Sequence, residues 1–210
     1  MIRDEEEDIP ADSLGERVYQ GVKAYVMSTA RPGRRLDVPM LAEVQKASLT
    51  PVRAALHRLA GEGLIEATPS EGFRTPHLTL RGLRDLYEWN RRLLVQALSP
   101  PLRPERLAGA AVEMPPQIDP PHETARLFRA IAGLAGNSEI ERAVTSASDR
   151  LHRVRGFELA VLGDGVEDLR TMASLLAGSN ATKLRAEAQI YHRRRLRAVA
   201  DIVDHVERQR

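Results

Sequence analysis

The chain contains no cysteine, which excludes disulfides, thiolate metal sites and cysteine nucleophiles and accords with a reducing compartment. Aromatic residues make up only 4%. The core must therefore come from Leu, Val, Ile and Ala, a set that favours helices. No run approaches the ~18 apolar residues of a membrane span, and the N-terminus, MIRDEEEDIP, is acidic where a secretory signal is basic and then apolar. The expectation is a cytoplasmic protein without membrane association. H-E-x-x-H, P-loop and G-x-S-x-G motifs are also missing, and the histidines are scattered. Nothing here reads as an enzyme. Charge of one sign is scarce as well: the net charge is +2, and from Asp12 to Leu78 nine basic residues face seven acidic ones. That balance alone does not make an electrostatic footprint for nucleic acid.

What is present is an ordinary globular mixture, 42% apolar and 29% charged over 210 residues, enough for two modest domains. Residues 1–12 read as an acidic disordered tail. In DSLGERVYQGVKAYVM, Leu14, Val18, Val22, Tyr25 and Val26 share one helical face, and Ser13 with Glu16 forms a capping-box pattern. After RPG and a few extended residues in RRL, Asp37 is placed to cap a second short helix with Pro39 in its first turn and Leu41 and Val44 on its buried side. Ser48 can cap a third, Pro51 again lies in the first turn, and Val52, Ala55, Leu56 and Leu59 form the buried stripe. Gly61 and Gly63 stop it. LIEATP and GFRTPHL then read as two strands around PSEG, with Gly72 able to take a positive φ. Three helices followed by a hairpin is the order of a winged helix-turn-helix, in which the third helix presents its N-terminus outward.

Beyond residue 78 the periodicity is helical throughout, punctuated by Pro or Gly-Asn, and predicts helices over 79–98, 104–114, 124–135, 138–162, 166–177 and one long terminal helix from 181 to about 207. MPPQIDPPHE reads as a flexible insert. The predicted fold is thus mainly α: a winged helix-turn-helix over 13–78, then an all-α bundle of about six helices over 79–210. Tyr87, Trp89 and Tyr191 are read as core residues, with Tyr191 also a pocket candidate, and HRRRLR as the solvated face of the last helix.

TPVRAALHRLAGEGLIEATPSEGFRTP resembles the signature of the GntR family of bacterial transcription regulators (T-P-V-R-E-A-L, then R-L, G-L-I, P and R-G-F). LYEWNRRLL, LFRAIAGLAGNSEI and AQIYHRRRL are similar to segments of the subfamily whose C-terminal ligand-binding domain is the all-helical FCD type. The resemblance implies a homodimer, as a rule a repressor, that binds a palindromic DNA operator under the control of a small-molecule effector. The residues it assigns to DNA are Lys46, Ser48, Thr50, Arg53, His57, Arg58, Gly72 and Arg74. Two usual arginines are replaced, by Pro39 and Leu49, so an altered operator core is expected; Leu49 offers at most contact with a thymine methyl. Glu71 beside Gly72 opposes phosphate at the wing tip.

FCD domains often hold a divalent metal with one Asp and three His. The resemblance places Ala125, Arg129 and Asp168 at three of those positions and leaves His192 as an imidazole, so no metal and no other cofactor is expected. Arg129 is instead a candidate for binding a carboxylate effector through two parallel hydrogen bonds, the alternative being an internal ion pair with Glu158 or Glu187. Asn90 stands where the first helix usually carries an effector-facing arginine, with Arg91 as substitute; Tyr191 and His192 complete the effector candidates. For the charges on the third helix the alternative is a solvated face. For the whole chain it is a partner-binding module that keeps the fold without reading DNA.

Overall fold

The computed structural model describes residues 14–28, 32–99, 102, 104–163 and 165–209. The acidic segment 1–12 and Ser13 lie outside the described residues, and with them the expected tail and capping box. Contacts divide the chain into a unit ending at Pro76 and one beginning at His77.

In the first unit α1 (Leu14–Ser28), α2 (Val38–Val44) and α3 (Leu49–Gly61) precede the strands β1 (Glu66–Thr68) and β2 (Gly72–Arg74). Asp37 caps α2, its Oδ1 accepting from the Met40 N–H at 3.1 Å, with Pro at the start of the helix where no N–H is needed. Lys46 closes α2 in the left-handed region at φ 49°, its N–H returning to the Glu43 carbonyl at 3.0 Å. That tight turn lets α3 start three residues later. Val52, Ala55, Leu56 and Leu59 are buried against Val18, Val22 and Val26 of α1 and Leu41 of α2. Each of the larger side chains contributes ~1.5–3 kcal/mol on burial. Leu14 and Val44, expected inside, are instead 51% and 57% exposed; the short α2 turns Leu41 and Ala42 inward, with Val38 and Met40 partly buried beside them.

β1 and β2 pair antiparallel with Ala67 opposite Phe73, and Gly72 takes φ 77° in the turn that joins them. Arg34 to Leu36 add a short third rung: the Leu36 N–H donates to the Phe73 carbonyl at 2.8 Å and the Thr75 N–H to the Arg34 carbonyl at 2.9 Å. This ties the wing to the loop after α1. Phe73 is buried in the three-helix core and anchors the hairpin there.

The second unit contains α4 (Leu80–Ala97), α5 (Pro104–Gly109), α6 (Pro120–Gly133), α7 (Ser138–Leu162), α8 (Gly165–Ala177), α9 (Ala181–Arg197) and α10 (Val199–Arg208). Side-chain caps start three of them: Thr79 accepts from the Gly82 N–H, Asn137 from those of Glu139 and Ile140, and Asn180 from that of Lys183. Two differences from the sequence reading are physical. Pro120 and Pro121 fall in the first turn of α6, where proline is tolerated, so the helix begins inside the expected insert. The expected terminal helix breaks at Ala198, whose N–H is shared between the carbonyls of Arg194 and Arg195, both at 3.1 Å. The bend lets Val199, Ile202 and Val203 pack on Leu83, Tyr87, Leu151 and Val154, and seven described helices result where about six were expected.

Candidate functional site

The N-terminus of α3 is exposed. Ser48 stands at the cap in extended conformation, yet its hydroxyl does not bond the helix. Ser48, Thr50 and Arg53 are exposed, and so is Lys46 across the turn. None of these four side chains has a hydrogen bond or ion pair with the described residues. An uncapped helix N-terminus with unengaged hydroxyls and a cation is a ready acceptor of a phosphate. Leu49 is 40% exposed beside them.

The other candidates are held by the fold. Arg58 is bonded to Glu16 at 2.7 Å, approaches Glu62 at 3.3 Å and lies with Cζ 3.6 Å from the centre of the Tyr19 ring. The Tyr19 hydroxyl donates to Glu62 at 2.7 Å, so this cluster ties α1 to the end of α3. Burial, with the Glu62 bond, raises the Tyr19 hydroxyl above its ordinary pKa and keeps it a donor. His57 stands edge-on to Phe73, ring centres 4.9 Å apart. Arg74 is bonded to Glu66 at 2.7 Å and reaches Glu71 at 3.5 Å. Arg34 and Arg35 are exposed cations at the wing, and the Arg35 Nη2 lies 4.0 Å from the point where a Gly72 side chain would begin. Sequence reasoning passed over Arg35, although its place in an extended stretch just before α2 was the available signal.

In the second unit the effector candidates separate. Tyr191 and His192 are buried in the helical core, whereas Arg129 is exposed on the outer face of α6. The α6 side chains that face inward are Thr124, Leu127 and Phe128; Phe128 stacks on His192 at 5.7 Å and meets Tyr191 edge-on at 5.3 Å. One residue along a helix is a rotation of about 100°, so position 128 rather than 129 faces the imidazole. Arg91 is half-buried with its fork taken by Glu88, at 2.9 Å from Nε and 2.6 Å from Nη2. The Arg91 bond, with that from Arg92, pulls Glu88 down to about 2. Trp89, read as core, is 48% exposed, while Tyr87 is buried.

Burial pushes the His192 imidazole down to about 3, so the ring is neutral. Its Nδ1 lies 2.6 Å from the Ala188 carbonyl and must carry the single N–H, leaving Nε2 to accept. The Asn90 side chain lies 3.0 Å from Nε2; its amide nitrogen is the group that satisfies this contact, which fixes the amide's orientation. Both imidazole nitrogens are then engaged. Among the described residues no group of three or more His, Asp or Glu could hold a metal ion.

The C-terminal arginine run is not uniformly solvated. Arg195, 2% exposed, donates from Nε to Glu158 at 2.6 Å and from Nη1 to Asp168 at 3.0 Å and to the Tyr191 carbonyl at 3.1 Å, with Cζ 3.3 Å from the Tyr191 ring centre. Tyr87 donates to Glu158 at 2.6 Å and Arg194 to Asp168 at 2.5 Å. This network joins α4, α7, α8 and α9, and it occupies Glu158, which the sequence offered as a partner for Arg129.

Residues 14–74 match the family "Bacterial regulatory proteins, gntR family". An Nta operon transcriptional regulator of Aminobacter aminovorans is 45% identical over 58 residues, which span 28% of this chain and 28% of that protein. Two solved structures resemble nearly the whole chain. E. coli McbR/YncC aligns with TM-score 0.65 and 18% identity over 91% of this chain and 99% of that one. A GntR transcriptional regulator from Rhodococcus sp. RHA1 aligns with TM-score 0.68 and 19% identity over 90% and 97%. The latter two share the fold. The chain thus carries a winged-helix domain of the GntR family over residues 14–74, followed by an all-helical unit.

Proposed function

We propose that the protein is a homodimeric, cytoplasmic DNA-binding transcriptional regulator, a repressor, whose affinity for a palindromic operator is set by a small-molecule effector held in the helical unit. The observation that carries the reading is the first turn of α3: its cap hydroxyl is unbonded, Thr50 and Arg53 are exposed beside it, and α3 carries them on a winged-helix frame. Arg53 reads a base edge through its planar fork, while Lys46, Ser48 and the helix N–H groups position phosphates. At the wing the phosphate contact belongs to Arg35, because Arg74 is neutralised by Glu66 and Glu71. Arg58 serves the stability of the head. Leu49 replaces an ionic contact with an apolar one suited to a thymine methyl. The likeness of the head to an operon regulator supports regulation as its use. Effector and operator are coupled as two ligands of one equilibrium, each changing the other's affinity by the same factor.

A second reading is favoured by one observation: Val44 and Leu49, on either side of the turn, expose apolar surface where charge would serve DNA. That reading makes the head a protein-binding module. Salt separates the two. Fluorescence anisotropy with a duplex should show affinity falling steeply as salt rises, by a log–log slope of about −0.9 for each phosphate neutralised. A flat salt response in wild type, unchanged by Arg53→Ala, would discard the DNA reading.

A further inference from the structure

Arg155, on α7, is 1% exposed and makes one hydrogen bond, from Nη1 to the Ser148 carbonyl at 3.4 Å. Its Nε–H and Nη2–H have no partner. These are the two parallel donors of one guanidinium edge, the fork that matches the two oxygens of a carboxylate. Arginine does not escape burial by losing its proton, and an uncompensated buried charge is costly. Among the described residues no carboxylate is bonded to this edge. Glu158 and Asp168 are the buried carboxylates among the described residues, and both are committed to Arg195, with Tyr87 on the first and Arg194 on the second.

Two further buried hydroxyls make no well-formed hydrogen bond: that of Ser148, seven residues earlier on α7, and that of Tyr191 on α9, whose neighbour is the Thr124 side chain. Arg155 and Tyr191 converge on one ring: the Arg155 Cζ lies 5.2 Å from the centre of Phe128, and the Tyr191 ring centre 5.3 Å from it. Burial raises the Tyr191 phenol above its ordinary pKa, so it stays a donor. A cation with a free fork, two hydroxyls and an aromatic ring thus lie in this part of the core, beside the His192 imidazole stacked on Phe128 and the Arg195 guanidinium over Tyr191.

We propose that Arg155 anchors a small organic carboxylate through Nε–H and Nη2–H, with the Ser148 and Tyr191 hydroxyls as further donors and Phe128 against the ligand's apolar part. The proposal rests on the effector-binding reading of the helical unit and gives that site its anchor, which is neither Arg129 nor Arg91.

The test uses the full chain in buffer with a chelator, thermal denaturation and calorimetry, and acetate, lactate and benzoate beside their neutral amides, with phosphate and sulfate as inorganic anions. The expected result is saturable stabilisation by at least one carboxylate and none by its amide. Arg155→Lys, which keeps the charge and loses the fork, should weaken that binding roughly tenfold or more. Arg155→Met should abolish it while leaving the unliganded protein as stable as wild type or more so, because an uncompensated charge is gone. Tyr191→Phe, which removes only a hydroxyl, should fold and bind several-fold more weakly, and serves if Arg155→Met does not fold. The proposal is overturned if no carboxylate stabilises the wild type, if only phosphate or sulfate does, or if carboxylate binding survives loss of the fork. A carboxylate that binds through Arg155 but leaves DNA affinity unchanged upholds this site and removes effector control. Control of DNA affinity by a neutral compound, with no carboxylate bound, does the reverse.

Discussion

Replacing Glu158 by alanine tests whether the interior network of the helical unit is as closed as its geometry indicates. Glu158 is 3% exposed and accepts from Arg195 and Tyr87, each at 2.6 Å. Removing it leaves Arg195 with Asp168 as its single carboxylate partner and the Tyr87 hydroxyl without an acceptor. Breaking one side of a buried ion pair costs ~3–5 kcal/mol, and an orphaned buried hydroxyl adds ~1–3 kcal/mol. The two costs share one carboxylate and will not add fully. A loss of about 4 kcal/mol is therefore expected from a domain whose whole stability is ~5–15 kcal/mol. Tyr87→Phe removes one hydrogen bond to a charged acceptor and leaves the ion pair, so about 1–2 kcal/mol is expected. Urea denaturation followed by far-ultraviolet circular dichroism measures both, since the unit is helical, and the double variant gives the coupling. A Glu158→Ala loss below about 1 kcal/mol would refute the reasoning, because only a solvated pair is worth so little.

Arg53→Ala is expected to cost ~1–3 kcal/mol of operator affinity and to relax preference at one position, read by anisotropy on single-base variants of the site. Arg35→Ala should weaken binding to all sequences alike and reduce the salt slope by about 1, whereas Arg74→Ala should leave that slope unchanged. Arg58→Ala should lower the stability of the first unit by ~1 kcal/mol or less, given its exposure, with the salt slope of DNA binding intact. Stability should also fall with acid. Burial holds His192 down to about 3 and His152 down to about 4, so below the unfolded value near 6.5 the unfolded chain takes up protons that the native state refuses. Each histidine then costs up to ~1.4 kcal/mol per pH unit below about 6.5, visible as a drop in urea midpoint between pH 7 and pH 5. His192→Asn should flatten this dependence, and an unchanged slope would contradict the neutral buried ring.

The head was legible because its determinants are local. Asp37, Pro39 and Pro51 mark helix starts by backbone chemistry, Gly72 marks the turn that needs a positive φ, and the α3 stripe follows from period alone. What was missed depends on partners far along the chain. Arg58 and Arg74 look available in sequence, but Glu16 and Glu66 claim them across the fold. Arg195 sits in a string of charge that reads as solvated and Arg155 carries no signal of its own, and only the packing of the helices encloses them. Arg129 was assigned inward, yet the buried face of α6 runs through Thr124 and Phe128. Nothing at Ala198 signals a break, since alanine is a strong helix former; the apolar face of α10 imposes it by packing on α4 and α7.

The central claim is that α3 and the wing read DNA, and it is tested most directly by selecting random duplexes with the purified full-length protein and sequencing what is retained. The account predicts enrichment of a palindrome whose half-sites lie about one helical turn apart, with binding lost on Arg53→Ala and weakened steeply by salt. A folded, dimeric protein that enriches no sequence would contradict it.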